Sequence, residues 1–156
     1  MPTAQYQKST HHSSQLLQSI VLDFENYPNI FSGIESAVVI KPGPPIWEVS
    51  FRLYMIRRLA YTLSLEAHEN NGVFELRWSL IDGFFHSNSG YWRFESAGND
   101  IEGGTEGDTE VSYFVNVLTD TVLPSSMIQT LTTRRLPSVV NQLIEEADRR
   151  LGGAPE

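Results

Sequence analysis

Apolar and polar side chains alternate over five successive stretches of the chain, and this alternation constrains the fold more than any other feature. The pattern covers residues 46–56, 59–65, 74–80, 91–95 and 111–117. Alternation with a period of two predicts half-buried β-strands, each with one apolar face. Turn-forming residues separate the stretches, so we expect consecutive strands to pair as an antiparallel meander.

A different periodicity occupies the C-terminal part of the chain. From Pro124 to about Leu151, apolar residues recur at steps of three and four, which predicts a long amphipathic helix. Pro137 lies inside this stretch and should kink the helix or divide it in two, because proline lacks the N–H that the helix needs. The helix is long enough to cover the apolar face of the predicted sheet.

The N-terminal third completes the predicted order of elements. A first strand is expected at residues 3–9, followed by two short helices at residues 15–22 and 24–31. Strands and helices are thus segregated, which indicates the α+β class. We expect a curved antiparallel sheet of about six or seven strands wrapped around the C-terminal helix. The chain should form one domain over residues 1–156, with a short flexible tail at 152–156.

Charge and composition argue against several classes of function. The formal net charge is −8, whereas a nucleic-acid binder needs clustered Lys and Arg side chains for phosphate contacts. The sequence has no cysteine, so it can form no disulfide and no thiolate site. The N-terminus does not have the pattern of a signal peptide, and no apolar run approaches the ~20 residues that span a bilayer. We expect a cytoplasmic protein without integral membrane association, either a monomer or a weak homodimer.

Four short motifs give the sequence a resemblance to a known superfamily. They are VLDFENYPNIF at residues 21–31, WSLIDGFF at 78–85, GYWRF at 90–94 and TEVSY at 109–113. In this order they resemble the START-like (SRPBCC) superfamily, and within it the polyketide cyclase/dehydrase and coenzyme Q-binding protein-like families. The resemblance implies the helix-grip fold. The superfamily includes lipid carriers, quinone binders, cyclases and hormone receptors, so the resemblance specifies the fold better than the function.

The apolar face of the sheet also predicts a binding cavity, because a strongly curved sheet and a helix laid across it cannot close perfectly. Small-molecule pockets are mostly apolar and aromatic, with a few polar groups that orient the ligand. The hydroxyl groups of inward-facing Tyr side chains and the indole N–H groups of inward-facing Trp side chains would supply these polar groups. A fully packed core is the alternative. The residues expected to line the cavity are Phe51, Leu53, Tyr61, Leu63, Trp78, Trp92, Phe94, Tyr113 and Leu131.

The four histidines are candidate metal ligands and candidate general bases. His11 and His12 are neighbours, so their side chains should point apart, and two ligands alone do not form a site. His86, with Asp82 near it, is the best candidate for a general base, although a solvated loop histidine is the simpler interpretation. We therefore expect no catalytic residue, no metal site and no cofactor.

Three functions remain open from the sequence. The first is binding or transport of a hydrophobic small molecule: a lipid, a quinone or a polyketide-like compound. The second is an aromatase/cyclase-type enzyme, a cofactor-independent cyclase or dehydratase, in which Tyr61, Tyr113 or Arg93 would polarise a carbonyl. The alternation places Arg93 on the face away from the cavity, and no convincing acid–base pair is present, so binding is preferred over catalysis. The third is a ribosome- or protein-interaction module, which the negative charge disfavours.

Overall fold

A curved antiparallel sheet packed against helices forms the protein. The computed structural model describes residues 3–54, 58–83, 87–96, 109–118 and 135–152. Seven strands and three α-helices lie in these ranges, with one 3-10 turn. In chain order they are β1 (Thr3–Thr10), α1 (Ser14–Val21), the 3-10 turn (Phe24–Asn26), α2 (Tyr27–Ile30), β2 (Ile34–Lys41), β3 (Ile46–Tyr54), β4 (Arg58–Asn70), β5 (Val73–Gly83), β6 (Ser87–Ser96), β7 (Thr109–Leu118) and α3 (Leu136–Gly152).

All seven strands form one sheet in the order β1-β7-β6-β5-β4-β3-β2. Every neighbouring pair is antiparallel, and the consecutive strands from β2 to β7 form the predicted meander. The first strand adds to the far edge, beside β7, where Tyr6 lies opposite Tyr113. The predicted α+β class, the strand number and the helix-grip arrangement are confirmed.

Strand register decides which side chains share the concave face. Residues directly opposite one another in an antiparallel pair point to the same side of the sheet. Phe51 is opposite Tyr61, and Trp92 is opposite Tyr113. The turn between β4 and β5 has two residues, Asn71 and Gly72, both with positive φ. This turn fixes the register of the longest hairpin, as the Asn-Asn-Gly sequence predicts.

The hydrophobic core lies between the concave face and the helices. The inner side of α3 contributes Val139, Val140, Leu143 and Ala147, none of them more than 5% exposed. These side chains belong to the same buried cluster as residues from every strand from β2 to β7. The spacing of the buried residues along α3 matches the predicted amphipathic stripe.

Local sequence accounts for where the helices begin. The Ser13 side chain accepts a hydrogen bond from the Leu16 backbone N–H, which caps α1. Proline lies in the first turn of α2, at Pro28, where a missing N–H costs nothing. Pro137 holds the equivalent place in α3, where it is the second residue of the helix.

Some sequence predictions fall on residues outside the described ranges. The proposed start of the C-terminal helix at Pro124 and most of the tail 152–156 are among them. Gly152, which was assigned to the tail, is instead the last residue of α3. Among the residues described, no helix is long and apolar enough to cross a membrane.

Candidate functional site

Stacked aromatic side chains occupy the centre of the concave face. The ring of Tyr113 on β7 lies 4.3 Å from the ring of Trp92 on β6, measured between centroids, and the two are stacked. On its other side Tyr113 approaches Trp78 of β5, at 5.8 Å. The alternation along three adjacent strands therefore brings these predicted site residues together.

Tyr27 of α2 and Phe31, which directly follows α2, fill the space between the halves of this face. Tyr27 lies 5.0 Å from Phe31 in an edge-on contact, and 6.0 Å from Phe51 of β3. Phe31 in turn stacks on Trp92 at 6.2 Å. Both residues belong to the motif at 21–31, but the sequence did not indicate that they pack inside the sheet. They reduce the open space that the sequence analysis assigned to this part of the face.

Burial divides the predicted cavity-lining residues into two groups. Five of them are at most 8% exposed, and Phe94 is fully buried and stacked on Phe74 at 5.7 Å. Three others, Tyr61, Trp78 and Tyr113, keep part of their surface exposed. Leu131 lies outside the described residues. The five buried members are Phe51, Leu53, Leu63, Trp92 and Phe94.

Trp78 owes its position to a glycine on the next strand. Gly90 lies opposite Trp78, and a Cβ atom added there would be 2.6 Å from the indole ring and 2.1 Å from the Phe114 carbonyl oxygen. The ring can thus lie against bare backbone, which explains why the motif at 90–94 begins with glycine. The Trp78 indole N–H donates to the Asn88 side-chain oxygen at 3.2 Å. The protein itself therefore supplies an acceptor for this N–H.

Two tyrosine hydroxyl groups define the polar part of the site. Burial raises the pKa of Tyr61 and of Tyr113 well above the ordinary value for a phenol. Proximity to Tyr113 raises the pKa of Tyr61 further, whereas the Arg135 guanidinium lowers the pKa of both. Both hydroxyl groups are therefore protonated at neutral pH.

Arg135 is a residue that sequence reasoning missed. Its neighbour Arg134 lies outside the described residues. Arg135 directly precedes α3, and its Nη1 donates to the Ser32 carbonyl oxygen at 2.6 Å. A side chain at Gly33 would approach this guanidinium to 3.1 Å. No spacing in the sequence singles Arg135 out, because its place depends on how α3 crosses the α2–β2 connection.

Arg93, by contrast, lies on the outer face of the sheet, as the alternation predicts. Its side chain is 42% exposed and faces Glu75 at 3.7 Å and Glu95 at 4.0 Å. It cannot polarise a ligand on the concave face. Among the described residues, Arg135 is the cation whose charge lowers the pKa of both tyrosines.

The histidines differ from expectation. The rings of His11 and His12 do not point apart: their centroids are 4.5 Å apart. The His12 side chain is buried, and its Nε2 lies 2.6 Å from Asp148 Oδ1 on α3. Adjacent residues can present neighbouring rings here because the chain leaves β1 and turns into α1 at this point. His86 lies outside the described residues, and Asp82, its suggested neighbour, is exposed at the end of β5.

Sequence comparison assigns the family. A family model described as polyketide cyclase / dehydrase and lipid transport matches residues 11–144 of the 156-residue chain. The chain belongs to this family. The START-like relationship inferred from the four motifs is thereby confirmed. A comparison with curated protein sequences gave no match.

Solved structures similar to this member of the polyketide cyclase / dehydrase and lipid transport family share its fold. A START superfamily protein from Mycobacterium smegmatis has a TM-score of 0.77 at 15% identity, covering 94% of this chain and 97% of its own. The Zhui aromatase/cyclase from Streptomyces sp. R1128 has a TM-score of 0.76 at 16% identity, with 96% and 94% covered. A STAR-related lipid transfer protein from Xanthomonas axonopodis has a TM-score of 0.76 at 8% identity, with 92% and 84% covered. At these identities the likeness shows the fold alone.

Proposed function

We propose that this protein binds and carries a hydrophobic small molecule on the concave face, between the sheet and the C-terminal helix. The observation that carries the proposal is the group of partly exposed aromatic residues Tyr61, Trp78 and Tyr113 beside the buried core of this face. Soluble proteins rarely expose large contiguous apolar patches, and partly exposed aromatic rings on a concave face suit an apolar ligand. Lipid transport is part of the family description.

The polar groups at this face favour a ligand with an oxygen at one end. Neutral phenols can donate hydrogen bonds to a carbonyl or carboxylate oxygen, and the nearby Arg135 guanidinium favours negative charge. The rest of the ligand would lie against the aromatic rings. Affinity would come mainly from buried apolar area, at about 25 cal/mol per Å² before the costs of association. Fatty acids, quinones and polyketide-like compounds share this pattern of an apolar body and an oxygen-bearing end.

Native mass spectrometry of the protein purified from its own host tests the proposal directly. We expect a co-purified small molecule that organic extraction releases. Titration with oleate, oleyl alcohol and decylubiquinone, followed by tryptophan fluorescence, gives the second measurement, because Trp78 and Trp92 both lie at the site. No co-purified molecule together with no saturable fluorescence change for any probe would overturn the proposal.

An arginine variant tests the orientation of the ligand. Arg135→Met keeps the apolar stem and removes the charge, so oleate should bind roughly tenfold more weakly while oleyl alcohol changes little. Arg58→Met is the matched control, because Arg58 is 72% exposed and pairs with Glu35 on the surface. Equal losses for oleate and oleyl alcohol would show that Arg135 does not contact the acidic group.

A cyclase activity is the second candidate, supported by the same pair of protonated tyrosines. Hydrogen bonds from Tyr61 and Tyr113 would stabilise the oxyanion that forms when one carbonyl-stabilised carbon adds to a ketone of the same chain. We would test it by incubating the protein with a linear poly-β-ketone thioester and analysing the products. Loss of regioselective cyclisation in the Tyr61→Phe/Tyr113→Phe double variant, with ligand binding retained, would favour catalysis. Cyclisation no faster than in buffer would exclude it for that substrate.

A further inference from the structure

We propose that His11, His12 and Asp148 form a binding site for a divalent transition-metal ion of the zinc type. One potential ligand atom from each of the three residues lies within 4.8 Å of the other two. The two histidines lie between β1 and α1, and the aspartate lies near the end of α3. None of the three belongs to the candidate ligand site.

The burial of His12 is the strongest indication. Its side chain is 1% exposed, and Nε2 faces Asp148 Oδ1 at 2.6 Å. Within the described part of the chain, the other ring nitrogen, Nδ1, is buried and has no hydrogen-bond partner. A buried polar atom without a partner destabilises the fold, so this imidazole is only half satisfied by the protein. Histidine is the commonest metal ligand in proteins, and the nitrogen that would bind the ion is Nε2, which already faces the carboxylate.

The backbone of His12 is fixed before any ion binds. The Thr109 hydroxyl of β7 donates to the His12 carbonyl oxygen at 2.8 Å, and Thr109 is 1% exposed. The His12 N–H donates to the Thr10 hydroxyl at 3.4 Å. Because Thr10 and Thr109 are paired at the end of the β1–β7 ladder, the sheet itself holds His12 in place. Rigid support of this kind favours metal sites, since less ordering is needed on binding.

The third ligand is the carboxylate of Asp148, near the C-terminal end of α3. In the part of α3 that the structure describes, the neighbouring Arg149 and Arg150 both bond to Glu146. Among the described residues Asp148 has no Lys or Arg partner and pairs only with His12. Its side chain is 58% exposed, and His11 is exposed as well, so an ion can enter from solvent.

The donor set selects the class of ion. Two imidazoles and one carboxylate suit Zn²⁺ and similar ions, whereas Ca²⁺ and Mg²⁺ prefer sites built from oxygen ligands. Zn–N and Zn–O bonds of about 2.0–2.1 Å place tetrahedral ligand atoms about 3.3 Å apart. The exposed His11 and Asp148 side chains can move to reach that spacing. The ion would replace the proton between His12 and Asp148, and water would take the fourth position.

The test uses the full chain without a histidine tag. Isothermal titration with Zn²⁺ should give one saturable site, and Co²⁺ should give the strong visible absorption of a tetrahedral site. His11→Ala and Asp148→Asn should each weaken Zn²⁺ binding by roughly tenfold to a hundredfold or more, since loss of even an outer-shell partner costs that much. Both changes are at exposed side chains, whereas His12 is buried and its replacement could unfold the protein.

His68→Ala is the matched control, because His68 is exposed and faces Glu66 at 3.4 Å on another part of the surface. Its Zn²⁺ affinity should equal that of the wild type. Zn²⁺ should also raise the melting temperature of the wild type and of His68→Ala, but not of His11→Ala, because an ion that binds only the folded state stabilises it. Absence of a saturable site in the wild type would overturn the proposal. Unchanged affinity in both His11→Ala and Asp148→Asn would also overturn it.

Discussion

Trp92 and Tyr113 lie directly opposite one another on β6 and β7, with their rings stacked at 4.3 Å and their planes 26° apart. Side chains of directly opposed residues contact each other and stabilise an antiparallel sheet, and aromatic pairs stabilise it further. This pair joins the packed part of the concave face to the part that keeps exposed surface. It is therefore both a core contact and a wall of the candidate ligand site.

Truncation of Tyr113 should separate these two roles. Tyr113→Ala should lower the free energy of unfolding by roughly 3 kcal/mol, because a large aromatic ring leaves a cavity beside Trp92. Tyr113→Phe keeps the ring and should cost less than about 1 kcal/mol. Urea denaturation measures both values. Similar losses in the two variants would show that the hydroxyl group, and not the stack, stabilises this face.

Alkaline pH should destabilise the fold through its buried tyrosines. Burial raises the pKa of Tyr27, Tyr61 and Tyr113 above the usual value of 10.0. Above pH 10 the unfolded chain releases phenolic protons that the native chain still holds, so the unfolded state binds fewer protons and stability falls with rising pH. The contribution of the buried, protonated phenols to stability is complete below the pKa of tyrosine in the unfolded chain, and it is lost as the pH rises toward the pKa values of the native protein.

Absorbance of the tyrosinate ion measures this effect. Some of the six tyrosines should titrate only as the protein unfolds, and Tyr113→Phe should remove one group from that late phase. Complete titration of all six near pH 10 in the folded protein would contradict the assignment.

Replacement of Gly90 should be costly although it adds only a methyl group. In Gly90→Ala the new Cβ would lie 2.1 Å from the Phe114 carbonyl oxygen and 2.6 Å from the Trp78 ring. We expect a loss of roughly 1–3 kcal/mol in the free energy of unfolding, together with a shift in tryptophan emission. Ser89→Ala, one position earlier on β6, is the control and should change stability by less than about 0.5 kcal/mol. A Gly90→Ala variant as stable as the wild type would mean that Trp78 does not rest on this backbone.

The N-terminal cap of α1 offers a comparison between two serines. Ser13→Ala removes the acceptor for the Leu16 N–H and should lower stability by about 1 kcal/mol. Ser19→Ala removes an exposed hydroxyl that only donates to a carbonyl within the helix, and it should cost less than about 0.5 kcal/mol. Thermal denaturation of the two variants measures both losses of stability. Equal losses would show that the cap does not stabilise α1.

The sheet could be predicted from the sequence because period-two alternation specifies both the strands and their faces. Phe51, Tyr61 and Trp92 lie on the concave face where the alternation places them. Glycine and asparagine with positive φ end the strands at the predicted turn. Local pattern was sufficient for these features, since neighbouring strands pair with their neighbours in sequence.

The polar parts of the two candidate sites could not be predicted in the same way. Arg135 and Asp148 both belong to the segment that crosses the sheet from the far end of the sequence. Their partners, Ser32 and His12, lie more than a hundred residues earlier. No periodicity connects such positions, because the contacts depend on the angle and translation of α3 over the sheet. For the same reason the packing of Tyr27 and Phe31 inside the face became visible only in three dimensions.

The placement of β1 beside β7 has a consequence for how the protein forms during translation. The first strand leaves the ribosome early, but its only hydrogen-bonding partner in the sheet is made about a hundred residues later. Until then the strand has unpaired backbone groups and cannot complete the sheet. The nascent chain should therefore build the hairpins from β2 to β6 first and close the edge last. Pairing of β1 with β7 would also bring His11 and His12 into position. The proposed metal site would therefore form only when this edge of the sheet closes.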